Sequence, residues 1–134
     1  MRFSPCLVAV AMVAGCAAVP GSPATEQVTS TTGALTVDWT VLGIREVSQC
    51  VSTGSSAIEI TVLDTSNQPV GTFQQSCNTF QTTVTLENGV YTVAARMLDI
   101  AGAARTRPVS LGDVTINTNS QWTQAIDFPA SSFF

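Results

Sequence analysis

Cysteine, carboxylate and arginine are the residue types through which this chain could do chemistry. Its 134 residues include four cysteines, nine acidic residues and five basic residues, and histidine is absent. The basic residues are all arginine, at positions 2, 45, 96, 105 and 107, so lysine is absent as well. A serine or cysteine nucleophile usually needs a histidine or lysine base beside it. The sequence therefore predicts no nucleophilic catalytic site.

Paired carboxylates are a second possible source of catalysis. Two of them can hydrolyse a glycosidic bond, because one donates a proton while the other attacks the sugar or activates water. Here the acids are scattered singly, and most fall at predicted turns or on outward-facing strand positions. We therefore predict solvated surface groups and no enzyme. A carboxylate-based hydrolytic module stays open as an alternative, together with a carbohydrate-binding module.

Asp64 and Asp99 occur in two similar segments, each of which ends a predicted strand with Leu-Asp and then turns. An aspartate in this position caps a turn by accepting a hydrogen bond from the backbone two residues further on. Calcium is the alternative, but it needs roughly six to eight converging oxygens, and neither segment has the dense acidic spacing of a calcium loop. We predict two capped turns, no metal site and no cofactor.

The charge balance argues against two classes of partner. The formal net charge is −4 at pH 7, and charged residues are only 10% of the chain. Nucleic acids and anionic lipid headgroups attract basic surfaces, so neither is predicted as a partner. Hydrophobic residues make up 45% of the chain, which is too apolar for a disordered protein, and the length suits one small domain.

The first sixteen residues, MRFSPCLVAVAMVAGC, have the pattern of an export signal. Arg2 supplies a positive charge, and an unbroken apolar run extends from Leu7 to Ala14. A helix of that length rises about 12 Å, whereas a bilayer's hydrocarbon core is about 30 Å thick. The run is therefore too short for a permanent membrane helix, and we predict a signal peptide over residues 1–15.

The segment Val13-Ala14-Gly15-Cys16 resembles the lipobox of bacterial lipoproteins, with a branched residue, two small residues and the cysteine in order. The resemblance implies that the Cys16 thiol is diacylated and that cleavage falls just before it. Two or three acyl chains anchor a protein stably where one does not. The alternative is ordinary signal-peptidase cleavage after Ala17 or Ala18, because these residues are small. Cys6 lies in the removed segment and receives no role.

Ala17 follows the proposed acceptor cysteine. In lipoproteins an aspartate at this position commonly causes retention in the inner membrane, so the resemblance implies an outer-membrane location in a double-membraned bacterium. Residues 16–33 then form the lipidated N-terminus and a flexible tether, because they are rich in Pro, Gly, Ser and Thr and show no sustained period. The globular domain is predicted to span residues 34–134.

Cys50 and Cys77 remain as an even pair in the globular domain. In an oxidising envelope such a pair predicts a disulfide. If residues 58–62 and 70–75 form a hairpin, Cys77 lies opposite Ser56, and the loop that contains Cys50 has only to fold back over that end. A metal site is one alternative, but two cysteines without histidine provide too few soft ligands. A reactive thiol is the other.

Period-two alternation of apolar and polar residues recurs through the domain. Leu35, Val37, Trp39 and Val41 share one face, which is typical of a half-buried strand. Similar runs cover residues 58–62, 80–87, 91–97 and 122–128, and weaker ones cover 70–75 and 109–116. About seven strands with turn signals roughly every 8 to 12 residues predict a single antiparallel β-sandwich. The Asn88-Gly89 pair predicts a two-residue hairpin turn with positive φ.

The segment Asn88-Gly89-Val90-Tyr91-Thr92-Val93 is similar to the Gly-x-Tyr-x-Val strand of carboxypeptidase-regulatory-like and other transthyretin- or immunoglobulin-like accessory domains. Over residues 34–128 the pattern resembles small envelope lipoproteins of unknown function that carry one such domain. The resemblance implies an all-β sandwich and a non-catalytic role, and it specifies no ligand.

The aromatic residues bear on what the domain binds. Trp39 and Trp122 fall on the apolar faces of their strands, so we predict that both lie in the core, with stacking on a sugar as the alternative. Phe133 and Phe134 either fold back on the domain or form an exposed apolar handle. The sequence as a whole predicts an exported, lipid-anchored, non-catalytic envelope module that binds a protein or peptide partner or has a structural role.

Overall fold

The computed structural model describes residues 31–134. The predicted signal peptide, the lipid-acceptor Cys16 and the tether up to residue 30 lie outside the described residues. The first strand begins at Thr32, two residues before the predicted start of the domain. Within the described residues, no helix has both the length and the apolar character needed to span a membrane.

The described part of the chain is all-β, with seven strands and one short helix. The strands are β1 (Thr32–Val41), β2 (Ala57–Leu63), β3 (Pro69–Ser76), β4 (Gln81–Glu87), β5 (Gly89–Leu98), β6 (Val109–Ile116) and β7 (Gln121–Phe128). The helix α1 (Val47–Thr53) lies between β1 and β2, and 3₁₀ turns cover Cys77–Thr79 and Ala130–Ser132. Every predicted alternating segment overlaps a strand, so the predicted strand count is confirmed.

The strands form two sheets. One has three strands in the order β4-β1-β7, and the other has four in the order β3-β2-β5-β6. Neighbouring strands are antiparallel except β1 and β7, which are parallel. The purely antiparallel prediction is wrong for this pair. No short turn connects the first strand to the last, so local sequence does not dictate their relative direction.

One hydrophobic core is shared by both sheets. Along β1 the inward side chains of Leu35, Val37, Trp39 and Val41 are buried, and they alternate with partly exposed ones. The inward residues of β2 and β5 belong to the same cluster. Each fully buried aliphatic side chain contributes about 1.5 to 3 kcal/mol, so this alternation accounts for the pairing register of the strands.

Asn88 is a corner at which the chain passes from one sheet to the other. The strand β4 ends at Glu87 and β5 begins at Gly89, but the two strands belong to different sheets. Neither Asn88 nor Gly89 has a positive φ. The predicted hairpin is therefore wrong. Three hydrogen bonds hold the corner instead. The Asn88 N–H donates to the Thr31 carbonyl at 2.8 Å, the Asn88 side-chain amide donates to the Thr118 hydroxyl at 2.8 Å, and the Tyr91 hydroxyl donates to the Glu87 carbonyl at 2.7 Å.

Asp64 and Asp99 close two turns of the same construction. Each carboxylate accepts the backbone N–H groups of the second and fourth residues after it, at 2.8 to 3.0 Å. The third residue after each aspartate, Asn67 or Gly102, lies in the left-handed region with φ of 60° or 85°. Asparagine and glycine tolerate that region best. The predicted aspartate caps are confirmed.

The two tryptophans have different environments. Trp39 is only 1% exposed and lies in the core, as predicted, whereas Trp122 is 36% exposed and the prediction for it is wrong. Trp122 pairs with the buried Leu35, but it lies near the start of an edge strand, where only one neighbouring strand covers it. Phe133 packs against the core and Phe134 is 74% exposed, so the two predicted alternatives each hold for one residue.

Candidate functional site

The strands run between two ends of different composition. The turn end contains the start of β1 and the turns at residues 64–68, 88 and 117–120. The opposite end, which we call the apolar end, carries six exposed large hydrophobic side chains: Leu42, Ile44, Val47, Val51, Ile100 and Phe134. Three others lie near the turn end: Val70, Val90 and Trp122. A concentration of exposed apolar side chains marks an interaction site in many soluble proteins.

A disulfide between Cys50 and Cys77 holds α1 at the apolar end. The predicted pair is therefore brought together, and the Cys77 N–H donates to the Ser56 carbonyl at 2.9 Å, as the predicted hairpin required. The Trp39 indole N–H donates to the Cys77 carbonyl at 2.9 Å. Both cysteines are buried, which favours a structural over a redox-active role.

The sequence analysis did not predict the helix α1. Its valine, serine and threonine residues are poor helix formers, so propensity gives no signal. The usable signal is Gly54, which ends the helix with φ of 70° and donates its N–H to the carbonyls of Cys50 and Val51. Glycine is the usual residue at such a left-handed helix end.

The outer side of α1 is apolar. Val47 and Val51 are separated by one helical turn, and both are exposed, Val51 to 75%. Ile100 directly follows Asp99, in the turn that the Asp99 carboxylate caps, and is 91% exposed. These side chains come from the β1–β2 and β5–β6 connections, so two separate parts of the chain contribute apolar surface to the same end.

A groove of about 220 Å³ lies at the apolar end. Its lining residues are Leu42, Thr53, Arg105, Ala130 and Phe133. The Arg105 guanidinium donates from Nε and Nη2 to the Thr53 carbonyl, at 3.0 and 2.8 Å. The Phe134 N–H donates to the Arg105 carbonyl at 3.2 Å. Arg105 therefore links the end of α1 to the C-terminal segment and forms the polar wall of an otherwise apolar groove.

Three of the four arginines in the described part of the chain lie at or beside the apolar end: Arg45, Arg105 and Arg107. Arg45 donates to the Phe80 carbonyl at 3.0 Å, and the Arg107 guanidinium stands 5.6 Å from the Phe134 ring centre. Cation–π and backbone contacts of this kind hold the charged groups beside apolar side chains. The apolar end therefore presents hydrophobic and cationic groups together.

Two carboxylates, those of Asp38 and Asp127, line one groove of about 420 Å³ on the three-stranded sheet. Asp127 accepts hydrogen bonds from the Thr40 hydroxyl at 2.7 Å and the Gly43 N–H at 2.8 Å. Asp38 forms an ion pair with Arg45 at 3.5 Å. Both groups are thus engaged in structural contacts. Across residues 31–134 no cluster of three metal-ligating side chains occurs.

Comparison with known proteins gives a likeness of fold. No known family profile matches the chain, and no curated protein matches it. Among solved structures, a leucine-rich repeat protein from Bacteroides thetaiotaomicron is similar, with a TM-score of 0.51 and 10% identity over 75% of this chain. The chain spans only 12% of that protein's length. At this identity the likeness concerns the fold alone and says nothing about activity.

Proposed function

We propose that this protein is a non-catalytic lipoprotein of the bacterial cell envelope that binds a protein partner through its apolar end. The observation that carries the proposal is the concentration of exposed hydrophobic side chains there, above all Val51, Ile100 and Phe134. Exposed apolar groups interspersed with arginines are typical of protein-binding surfaces.

The position of the apolar end supports the proposal. The strand β1 has ten residues and spans about 33 Å at roughly 3.3 Å per residue. The proposed anchor at Cys16 connects to the domain through the start of β1, at the turn end. The apolar end lies at the far end of the same strand, away from the residue at which the N-terminal segment joins the domain.

We further propose that the two sheets form a sandwich of the transthyretin-like type. In a constant-type immunoglobulin domain the first strand pairs with the second, and the third, sixth and seventh strands form the other sheet. Here β1 pairs with β4 and β7, and β2 pairs with β3 and β5. This order departs from the immunoglobulin order and favours the transthyretin-like part of the sequence resemblance.

Two observations support an exported, non-catalytic role. The Cys50–Cys77 disulfide suits an oxidising compartment outside the cytoplasm. The carboxylates of Asp64 and Asp99 cap turns, and those of Asp38 and Asp127 are bound by neighbouring groups. These acids are therefore used in holding the fold, and none of them needs a catalytic role to explain its position.

The anchor is tested by Cys16→Ser, with Cys6→Ser as the matched control. The wild type and Cys6→Ser should partition with membranes, and mass spectrometry should find acyl chains on an N-terminal Cys16. Cys16→Ser should remain soluble or uncleaved, because burial of methylene groups supplies the membrane affinity at about 0.8 kcal/mol each. An unmodified mature chain that begins at Ala18 or Val19 would contradict the lipid anchor.

The binding surface is tested by placing a photo-crosslinking residue at Val51 or Ile100 in intact envelopes, with Val70 and Val90 at the turn end as matched exposed controls. We expect one protein adduct of the same mass from both apolar-end positions and none from the controls. Val51→Asp should abolish the Ile100 adduct, whereas Val90→Asp should leave it. Equal adducts from both ends would contradict a specific site.

A carbohydrate-binding function is the second candidate, and the exposure of Trp122 favours it. Since Trp39 is buried, a sugar that stacks on the domain would change the fluorescence of Trp122 alone. Titration with soluble peptidoglycan fragments should then shift the emission of the wild type and of Trp39→Phe, but not that of Trp122→Phe. No change in the wild type would count against this candidate.

A further inference from the structure

We propose that two copies of this chain pair through β4, edge to edge and antiparallel, so that their three-stranded sheets join into one sheet of six strands. This inference concerns self-association and goes beyond the proposed function. It does not depend on the anchor or on the apolar end. Its basis is the backbone of β4, the charge pattern of its side chains, and the contrast between this edge and the others.

Among the strands of residues 31–134, β4 lies at the edge of its sheet and pairs with β1 alone, so half of its backbone groups have no partner strand there. The pairing with β1 is bounded by hydrogen bonds between Trp39 and Phe80 at 3.1 Å and between Asn88 and Thr31 at 2.8 Å. Bonded and non-bonded pairs alternate along an antiparallel ladder, so the even-numbered residues of β4 bond to β1. The N–H and C=O groups of the odd-numbered residues point away from the sheet: Gln81, Thr83, Thr85 and Glu87.

Two of these outward carbonyls already accept hydrogen bonds. The Gln81 carbonyl accepts from the Thr79 hydroxyl at 3.3 Å, and the Glu87 carbonyl accepts from the Tyr91 hydroxyl at 2.7 Å. Within residues 31–134, no hydrogen bond reaches the outward backbone groups of Thr83 and Thr85, in the middle of the strand. A row of unpaired groups of this kind is a template for another strand.

The other edges are better protected. The strands β6 and β7 lie beside each other, so their edges flank the same side of the domain. The strand β3 begins with Pro69, and its register with β2 shifts at Leu63. Proline, bulges and irregular register discourage strand addition. The strand β4 contains no proline and no glycine, and its seven pairs with β1 run without a shift.

The edge of β4 is also complementary to itself. A twofold axis at Val84 sets Thr83 opposite Thr85 of the second copy and Gln81 opposite Glu87 of the second copy. At this register, residues whose backbone groups point away from the sheet lie opposite each other, so each outward N–H of one copy meets a carbonyl of the other copy. Glu87, the one charged residue of β4, faces an amide, so like charges do not meet. Cross-strand pairs contribute about 0.2 to 1 kcal/mol each when the side chains match.

The pairing should be reversible. Stable interfaces bury about 1,200 to 2,000 Å² in total, and a strand pair of this length buries less, so we expect dimers that dissociate on dilution. The twofold axis is perpendicular to the sheet and gives one isologous interface.

The test is sedimentation equilibrium of the mature protein in detergent. We expect a monomer–dimer equilibrium for the wild type. Thr85→Pro removes an outward N–H without breaking the ladder to β1, and it should raise the dissociation constant at least about tenfold, which corresponds to about 1.4 kcal/mol. The matched control is Thr72→Pro. The Cys77–Ser56 bond places the even-numbered N–H groups of β3 outward, so this variant should dimerise like the wild type.

A second variant covers the case in which proline disturbs the fold. Thr83→Lys combined with Thr85→Lys places like charges opposite each other at the proposed register, so it should abolish the dimer, and added salt should restore it in part. Thr36→Lys, on the same face but in the central strand, should still dimerise. A wild type that stays monomeric at every concentration would overturn the proposal. So would loss of the dimer in Thr72→Pro but not in Thr85→Pro.

Discussion

The two ends of the domain are held in place by different means. At the turn end, hydrogen bonds close each connection, as at Asp64 and Asn88. At the apolar end, the Cys50–Cys77 disulfide holds α1, whose outer side exposes Val51. A helix of seven residues has little stability of its own, and Val51 buries too little surface to dock it. The covalent bond therefore holds a helix whose outer side is not buried, and it allows hydrophobic side chains to stay exposed on an ordered element.

The comparison predicts the largest effect at Trp39. This side chain is fully buried and donates to the Cys77 carbonyl, so it connects the core to the disulfide. Trp39→Ala should lower the free energy of unfolding by about 3 to 5 kcal/mol. Trp122→Ala, near the turn end, should cost about 1 kcal/mol or less. Urea unfolding measures both, and equal losses would mean that the two tryptophans have similar burial in solution.

The next effect concerns the disulfide. Its two cysteines are 27 residues apart, and closing such a loop stabilises the fold by about 3 to 4 kcal/mol in the chain-entropy model. Cys50→Ser combined with Cys77→Ser should therefore lower the melting temperature by more than about 10 °C. Hydrogen exchange should show that α1 loses protection first while the turn end keeps it. Identical melting of variant and wild type under oxidising conditions would remove the disulfide from this account.

The two aspartate turns allow a direct comparison of the ends. Asp64 lies at the turn end and Asp99 at the apolar end, and each carboxylate accepts two backbone hydrogen bonds of similar length. Asp64→Ala and Asp99→Ala should each cost about 1 kcal/mol. Thermal unfolding at neutral pH measures both. A much larger loss for Asp99→Ala would show that the Ile100 turn contributes more to the apolar end than its own hydrogen bonds.

Local patterns in the sequence predicted the local features of the fold. The alternation of Leu35, Val37, Trp39 and Val41 records which face of β1 is buried, so each strand could be recognised alone. The Cys50–Cys77 pair and the turns at Asp64 and Asp99 also followed from short-range chemistry. These features depend on neighbouring residues or, for the disulfide, on the even number of cysteines in the domain.

The predictions that failed concern long-range arrangement, which includes the sheet that a strand joins and the distant segment to which α1 is bonded. Asn88-Gly89 has the composition of a hairpin turn, yet a corner between sheets suits the same residues. Trp122 has the alternation of a core residue but lies near the start of an edge strand. The helix α1 has poor helix formers, and its position depends on a disulfide partner in a distant segment. Local sequence does not specify these long-range contacts. The apolar end combines side chains from separate segments, so it could be identified only from the folded chain.

The smallest predicted effect is a pH dependence at the turn end. Burial, and then the negative charges of Glu87 and Asp64, raise the pKa of the Tyr91 hydroxyl above its ordinary value of 10.0. The folded state therefore favours the neutral hydroxyl, which donates to the Glu87 carbonyl at 2.7 Å. The contribution to stability is complete below pH 10 and is lost as the pH rises from there through the folded-state pKa, because the unfolded chain releases the proton more readily.

The composition makes this dependence easy to isolate. Tyr91 is the single tyrosine and lysine is absent, so no second tyrosine and no lysine overlaps its titration. Tyr91→Phe should cost about 1 kcal/mol at neutral pH and should abolish the loss of stability above pH 10. Urea unfolding between neutral and strongly alkaline pH measures both effects. The same alkaline loss in Tyr91→Phe as in the wild type would mean that the corner at Asn88 does not depend on this hydroxyl.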